Sequence, residues 1–263
     1  MNPICFSIYT RDDSFSKQIG NELKDVLTQQ FQDVYCEESP NIVICIGGDG
    51  TLLRAIHAYE DQLDTISFVG IHTGTLGFFT DYTKHDLEDF VYDLHHNEIK
   101  TESYPLIEAV LDDDESKVYS ALNEIRLGSF TTTVVYDVYI DNEYFESVCS
   151  SGVSVSTQAG STGANRALQG AIVDNGLEVM ELTQIMPVSH VNQHSMTSPY
   201  ILKRDRIVDF YGKSLEHSNL CYDHLETGKL TGVKKVTVRL SNRKVNFARF
   251  RPYSYLTRLK NLF

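Results

Sequence analysis

An aspartate set among glycines, Gly47-Gly48-Asp49-Gly50-Thr51, follows the apolar, β-branched run 42–46 and precedes a stretch with apolar residues at 52, 53, 56 and 59. The run reads as a buried strand, and the stretch has helical spacing. A glycine turn between strand and helix brings backbone N–H groups close to a phosphate, with the positive end of the helix dipole behind them. A bare anion receptor gains nothing from a carboxylate at its centre, so Asp49 points to handling a proton or a metal. The competing reading is a tight turn in which Asp49 only caps the helix.

Four further segments carry candidate chemistry. The loop His72-Thr73-Gly74-Thr75-Leu76-Gly77-Phe78-Phe79-Thr80-Asp81 has two glycines and an aromatic pair that reads as exposed; the alternative places both rings in the core. Leu122-Asn123-Glu124-Ile125 sets an amide and a carboxylate between apolar residues, where burial without partners is unfavourable. Ser156-Thr157-Gln158-Ala159-Gly160-Ser161-Thr162-Gly163-Ala164-Asn165 is a small-residue loop able to approach a ligand closely. Phe247-Ala248-Arg249-Phe250-Arg251 reads most simply as a strand with exposed arginines.

The elements that must position these residues alternate over the first hundred positions. Residues 4–9 and 66–71 read as strands, and Phe15, Ile19, Leu23 and Leu27 mark an amphipathic helix at four-residue steps. Leu87, Phe90, Val91 and Leu94 mark another helix. This alternation predicts an α/β N-terminal domain with a parallel sheet over 1–100, with ligands at the carboxyl ends of strands. The Asp49 turn and the loop after Ile71 both lie at such ends. Beyond residue 100 the strands are short and rich in β-branched or aromatic residues, at 106–111, 118–122, 134–140, 144–148, 153–157, 207–211 and 236–240. They predict a β-rich, sandwich-like C-terminal domain over 101–240.

Composition narrows the function classes. The chain has 263 residues, 41% of them hydrophobic and 11% aromatic, enough for a substantial core. With 36 acidic against 23 basic residues the formal charge is −13, which argues against general affinity for nucleic acid or anionic membranes. The five cysteines, Cys5, Cys36, Cys45, Cys149 and Cys221, are widely spaced without a CxxC pair, suggesting neither a zinc site nor a disulfide framework. The first residues, Met1-Asn2-Pro3-Ile4-Cys5-Phe6, lack the basic start and long apolar stretch of a signal peptide. The expectation is a soluble cytoplasmic protein with no nucleic-acid or membrane partner. The phosphate-binding pattern GxxxxGK[ST] is missing, so a P-loop kinase is excluded.

Taken in order, these segments resemble the NAD kinase family, in particular its short Gram-positive bacterial members, nearly end to end. Residues 47–51 match the family's glycine-aspartate motif, 72–79 its second glycine loop, and Asn123-Glu124 its asparagine–glutamate pair; Tyr222-Asp223-His224 and 247–251 also look like family segments. The glycine-aspartate motif alone is shared with 6-phosphofructokinases and with diacylglycerol or sphingosine kinases. The resemblance implies transfer of a terminal phosphoryl group to the 2′-hydroxyl of the adenosine ribose of NAD, giving NADP, with ATP or polyphosphate as donor. It implies a divalent cation, usually magnesium, and a homo-oligomer, dimer or tetramer, built through the second domain. The tail 241–263 is expected to return to the first domain.

In that picture Asp49 is the catalytic base, and Asn123 and Glu124 hold ribose hydroxyls or help place the metal. Phe78 and Phe79 offer an apolar surface for adenine. Gly47, Gly48, Gly50, Thr51, Arg54, Thr162, Asn165 and His224 complete the implied nucleotide-binding set, together with Ser151, Ala164 and Met186, which depart from the family pattern. Gln158, Gly163 and Ala164 replace a proline, an alanine and a tyrosine of the second loop. Cys149-Ser150-Ser151-Gly152 stands where the family has arginine-glycine-aspartate-glycine, and Met186 where it has an alanine contributed by a neighbouring subunit. These departures fall on the nicotinamide side of the implied site. Two alternatives stay open: a related kinase for a lipid or another nucleoside, and a divergent paralogue that binds a dinucleotide as a sensor or partner subunit with little turnover.

Overall fold

The computed structural model describes residues 3–74, 77–188, 195–252, 254–260 and 262. Thr75 and Leu76 of the second glycine loop, and Met1 and Asn2, lie outside the described residues. The chain divides into two compact units, Met1–Ser103 with Lys244–Phe263, and Tyr104–Arg243.

The first unit opens with β1 (Cys5–Thr10), α1 (Ser14–Gln30), β2 (Val34–Tyr35), β3 (Ile42–Gly47) and α2 (Asp49–Ala58). β4 (Ser67–His72), β5 (Thr80–Thr83) and α3 (Leu87–His96) follow. β2, β1, β3 and β4 pair side by side and in parallel, and β5 adds to the far end of β4. All six residues of β3 are buried, as expected of a parallel strand covered on both faces. Ile42, Ile44 and Ile46 join Phe6, Val69 and Ile71 in one core with Ile19, Leu23 and Leu27 of α1 and Phe90 and Leu94 of α3. α1 starts where the Asp13 side chain accepts the Ser16 N–H at 2.9 Å, satisfying one of the helix's orphan donors.

The second unit begins within β6 (Lys100–Leu111) and continues through β7 (Asp114–Ala121), β8 (Glu124–Gly128), β9 (Val134–Ile140), β10 (Glu143–Ser150) and β11 (Gly152–Thr157). After the single turn α4 (Ala164–Ala167) come β12 (Val179–Ile185), β13 (Tyr200–Lys203), β14 (Ile207–Tyr211), β15 (Asn219–Tyr222) and β16 (Leu225–Lys229). β17 (Lys235–Arg249) starts in this unit and ends in the first, before α5 (Tyr255–Lys260). One antiparallel layer runs β13-β12-β11-β8-β15-β16, and another contains β10, β9, β14 and the first half of β17. Ile125, Val153 and Met180 of the first layer share a core with Tyr136, Val208 and Val236 of the second, which makes the unit a sandwich. Among the described residues no helix is long and apolar enough to cross a membrane.

The end of β17 pairs in parallel with β4, Phe247 opposite Phe68. Here the reading of exposed arginines is corrected. Arg249 is buried, with Nη1 2.9 Å from Asp81 and Nη2 2.8 Å from Glu102, and the Arg251 guanidinium lies 3.7 Å from the centre of the Tyr82 ring. An arginine can enter a core when carboxylates or an aromatic face replace its water.

Candidate active site

In the first unit the geometry centres on Asp49. It is the first residue of α2, and Gly48 occupies the cap position, so the helix-cap alternative is corrected. The Asp49 carboxylate instead reaches the second glycine loop. The Phe78 N–H donates to Oδ2 at 2.9 Å and the Phe79 N–H to Oδ1 at 3.2 Å. Each oxygen has one backbone donor and keeps lone pairs for another group, so the carboxylate is oriented without being used up. Gly77 makes this possible: a Cβ there would sit 2.3 Å from Asp49 Oδ1. Asp49 is partly exposed and lies in the first turn of α2, where the helix dipole favours negative charge.

His72 stands beside this turn. Gly74 N–H donates to its Nδ1 at 2.7 Å, which leaves the neutral ring's proton on Nε2, the atom nearest Gly48. Burial lowers its pKa below the usual histidine value, while the Asp49 charge pulls the other way. Thr51 is buried beneath the turn, and Arg54, exposed one turn further on, donates from Nη2 to Thr51 Oγ1 at 3.3 Å. Gly47 lets Thr51 approach the turn: a Cβ there would sit 2.3 Å from Thr51 Oγ1. Arg258 of α5 donates to the Gly77 carbonyl at 3.0 Å and so braces the loop that carries the two N–H donors.

The aromatic pair divides. Phe79 is buried and stacks on Phe247 with ring centres 5.3 Å apart, the core placement that the sequence offers as the alternative to exposure. Phe78 is half-buried, edge-on to Tyr255 at 5.9 Å. The loop must bury one ring to anchor the backbone N–H groups that Asp49 accepts.

In the second unit Asn123 and Glu124 meet the small-residue loop. Asp223, in the tight turn between β15 and β16, accepts the Leu122 N–H at 2.9 Å and the Asn123 N–H at 2.7 Å. Its own N–H donates to the Glu124 carbonyl at 3.1 Å. Gly160 lies so close to Asn123 that a Cβ would fall 2.1 Å from the Asn123 carbonyl oxygen. The neighbouring Gly163 puts its Cβ position 3.9 Å from both Asn123 Nδ2 and Glu124 Oε2. Glu124 is buried, with Oε1 3.5 Å from Arg126 Nε, while Asn123 Oδ1 and Glu124 Oε2 have no protein partner. Burial pushes the Glu124 pKa up to about 7, Arg126 opposing and Asp223 adding to the shift.

The rest of that set is placed in three ways. Asn165 is fully buried and spent on the fold: Nδ2 donates to Glu181 at 2.8 Å and to the Ala171 carbonyl at 3.2 Å, and Oδ1 accepts from Thr183 at 3.0 Å. These bonds tie the small-residue loop to β12. Ser151, Ala164 and Met186 line a single cavity of about 320 Å³ with Leu127, Phe130 and Ile185, and Arg126 also borders it. Thr162 lies in a short 3₁₀ turn, Gly160–Thr162, and His224 is exposed in the Asp223 turn. Sequence reasoning missed the clamping roles of Asp223, Gly77 and Arg258. Of these, Gly77 left a signal as a glycine next to an aromatic pair, and Asp223 as part of the 222–224 segment that the resemblance picks out.

The first unit thus holds an oriented carboxylate at a helix start, and the second, by itself, two buried acceptors without protein partners. The profile of the ATP-NAD kinase N-terminal domain matches residues 9–99. The chain is 37% identical over 260 residues to the NAD kinase of Lysinibacillus sphaericus (strain C3-41), covering 98% of both chains. It is 33% identical over 262 residues to the NAD kinase of Staphylococcus aureus (strain JH9), covering 98% of this chain and 97% of that one. In fold it is similar to yeast NADH kinase complexed with NADH (TM-score 0.82, 18% identity, 99% of this chain and 87% of that one). It is also similar to an NAD kinase from Archaeoglobus fulgidus in complex with ATP (TM-score 0.76, 19% identity, 98% of each). The chain belongs to the NAD kinase family.

Proposed function

We infer that this chain is an NAD kinase that transfers the terminal phosphoryl group of ATP or polyphosphate to the 2′-hydroxyl of the adenosine ribose of NAD, giving NADP. The observation that carries the site assignment is the pair of buried acceptors, Asn123 Oδ1 and Glu124 Oε2, with no protein partner. Buried acceptors without donors are unfavourable, and two vicinal ribose hydroxyls supply both donors. Phosphoryl transfer asks the protein mainly for positioning, charge neutralisation and a group to receive the hydroxyl proton.

Asp49 takes that proton. Its oxygens are held by Phe78 and Phe79 N–H, so the carboxylate need not reorganise as the proton arrives. Arg54 and the first backbone N–H groups of α2 face the donor's phosphates. The Asp223 clamp orients Asn123 and Glu124, and a Glu124 carboxyl near pH 7 can accept from or donate to a sugar hydroxyl. Among the described residues no three His, Cys, Asp or Glu side chains converge on a metal-sized site. The cation that the family resemblance implies is magnesium, which keeps several waters and is held largely by substrate phosphates. When bound there it neutralises phosphate charge. A homo-oligomer built through the second unit is supported by the exposure of Phe130 and Met186, apolar side chains that a second copy would cover. The free thiols of all five cysteines support a reducing cytoplasm.

The test is direct: incubate the protein with NAD, magnesium and either ATP or polyphosphate, and detect NADP with an NADP-specific dehydrogenase. NADP formation that scales with enzyme is expected. None with either donor, from protein of native circular dichroism, overturns the reading.

A further inference from the structure

Two thiols far apart in the sequence meet at the edge of the first unit's sheet. Cys5 opens β1, in register with Val34 of β2, and Cys36 follows β2, its N–H donating to the Phe6 carbonyl at 2.8 Å. Both side chains converge on Ser39. Cys5 Sγ donates to the Ser39 carbonyl at 3.6 Å, and Cys36 Sγ lies 3.7 Å from Ser39 Oγ. Ser39 thus contacts both sulfurs and places the two thiols on either side of one residue. Neither is deeply buried, whereas Cys45 and Cys149 are, and Cys221 lines the second unit's cavity.

The turn after Cys36 is arranged around its sulfur. The Ser39 N–H, the Ser39 hydroxyl and the Glu38 N–H all favour the thiolate and hold Cys36 below the usual thiol range, while burial first and Cys36 second push Cys5 up. A stabilised, accessible thiolate next to a second, protonated thiol is the arrangement that oxidants attack and a neighbour resolves. Glu37 and Glu38 flank the site, and the chain carries a formal charge of −13, so an anionic oxidant is repelled and a small neutral one is not.

We propose that Cys5 and Cys36 form a modification site, a dithiol that hydrogen peroxide converts to an intramolecular disulfide stapling the start of β1 to the turn after β2. The Cys36 thiolate attacks one peroxide oxygen, the O–O bond breaks, and hydroxide leaves, taking up the proton the thiol had lost to form water. The Cys5 sulfur then attacks the Cys36 sulfenic acid, the S–O bond breaks, and the departing hydroxide takes the Cys5 proton as a second water. Two thiols are oxidised by two electrons, and one peroxide is reduced to two waters.

The test uses the full-length protein, fully reduced and then treated with increasing hydrogen peroxide near neutral pH. Remaining thiols are alkylated, and the intact mass and linked peptides are read by mass spectrometry. Expected is loss of two hydrogens, three alkylated cysteines and one linked peptide joining Cys5 to Cys36, all reversed by dithiothreitol. Cys5→Ser should stop at a sulfenic acid on Cys36, trapped by dimedone, and Cys36→Ser should leave Cys5 unoxidised at the same peroxide dose. A link through Cys45, Cys149 or Cys221, a link between chains, no disulfide in the wild type, or oxidation of Cys5 in Cys36→Ser at the wild-type rate would each overturn the proposal.

Discussion

Replacing Glu124 by glutamine should make the protein more stable at alkaline pH while changing little in acid. Glutamine has the same shape and keeps a hydrogen-bonding end but cannot ionise. In the folded protein Glu124 titrates near about 7, against 4.5 for an ordinary glutamate, chiefly because burial disfavours the charged form. A folded pKa above the unfolded one gives stability that is fully present below pH 4.5 and is lost as pH rises through 7, since the native state binds the extra proton over that window. A gap of this size corresponds to about 3 kcal/mol well above pH 7. At pH 5 the folded wild type keeps the Glu124 proton while only about a quarter of unfolded chains do, so less than about 1 kcal/mol of the loss has yet appeared. The variant's stability relative to wild type should therefore rise by about 2–3 kcal/mol between pH 5 and pH 8.

The assay is urea unfolding followed by far-ultraviolet circular dichroism at both pH values, because the chain has no tryptophan. Other titrating groups are common to both proteins and cancel in the comparison. Equal stability differences at pH 5 and pH 8 would refute the reasoning, since they would mean that Glu124 keeps its charge throughout and that Arg126 compensates its burial in full.

Three other outcomes are expected. Asp49→Asn preserves size and keeps one oxygen to accept from either Phe78 or Phe79 N–H, so turnover should fall by about 10²–10⁴-fold with NAD affinity nearly unchanged; near-normal turnover would remove Asp49 from the mechanism. Ser151→Asp with Ala164→Tyr returns a carboxylate and a ring to the second unit's cavity, and the Michaelis constant for NAD should drop by about tenfold, the equivalent of ~1.4 kcal/mol; an unchanged or higher value would mean the cavity is built around other contacts. Phe79→Ala empties a buried stacked position and should destabilise the first unit by about 3–5 kcal/mol in urea unfolding; an effect below ~1 kcal/mol would return Phe79 to the surface.

The fold class was legible because hydrophobic periodicity is a local signal. Residues 42–46 and 66–71 advertise two-sided burial, and α1 carries its apolar stripe openly. What was not legible depended on contacts between distant positions. Asn165 looked like a ligand-binding amide until Glu181 and Thr183, on a strand more than a dozen residues away, were seen to use both its ends. Arg249 looked exposed because charge usually is, yet Asp81 and Glu102 lie about 150 residues or more earlier and nothing local announces them. Asp223 belongs to a segment that the resemblance picks out, but nothing local gives its role as a clamp. Only the pairing of β15 with β8 brings it against Leu122 and Asn123.

The departures from the family pattern gain meaning from the same kind of contact. Ser151, Ala164 and Met186 are spread over 36 positions, and in sequence they read as separate losses. In the second unit they line one cavity, so the departures that the resemblance implies would amount to a single local change, a carboxylate and a ring fewer and a flexible thioether more. None of the three bears on the bonds that orient Asn123 and Glu124, which run through Asp223 and the close approach of Gly160. A pocket wall can be altered in shape and charge without disturbing acceptors clamped by separate backbone bonds. The carboxylate at Asp49 is independent again, being oriented by Phe78 and Phe79 N–H within its own unit. Changes confined to the cavity should therefore act on the Michaelis constant for the acceptor, and changes at Asp49 on the chemical step. The double substitution at 151 and 164 and the single one at 49 separate those two effects.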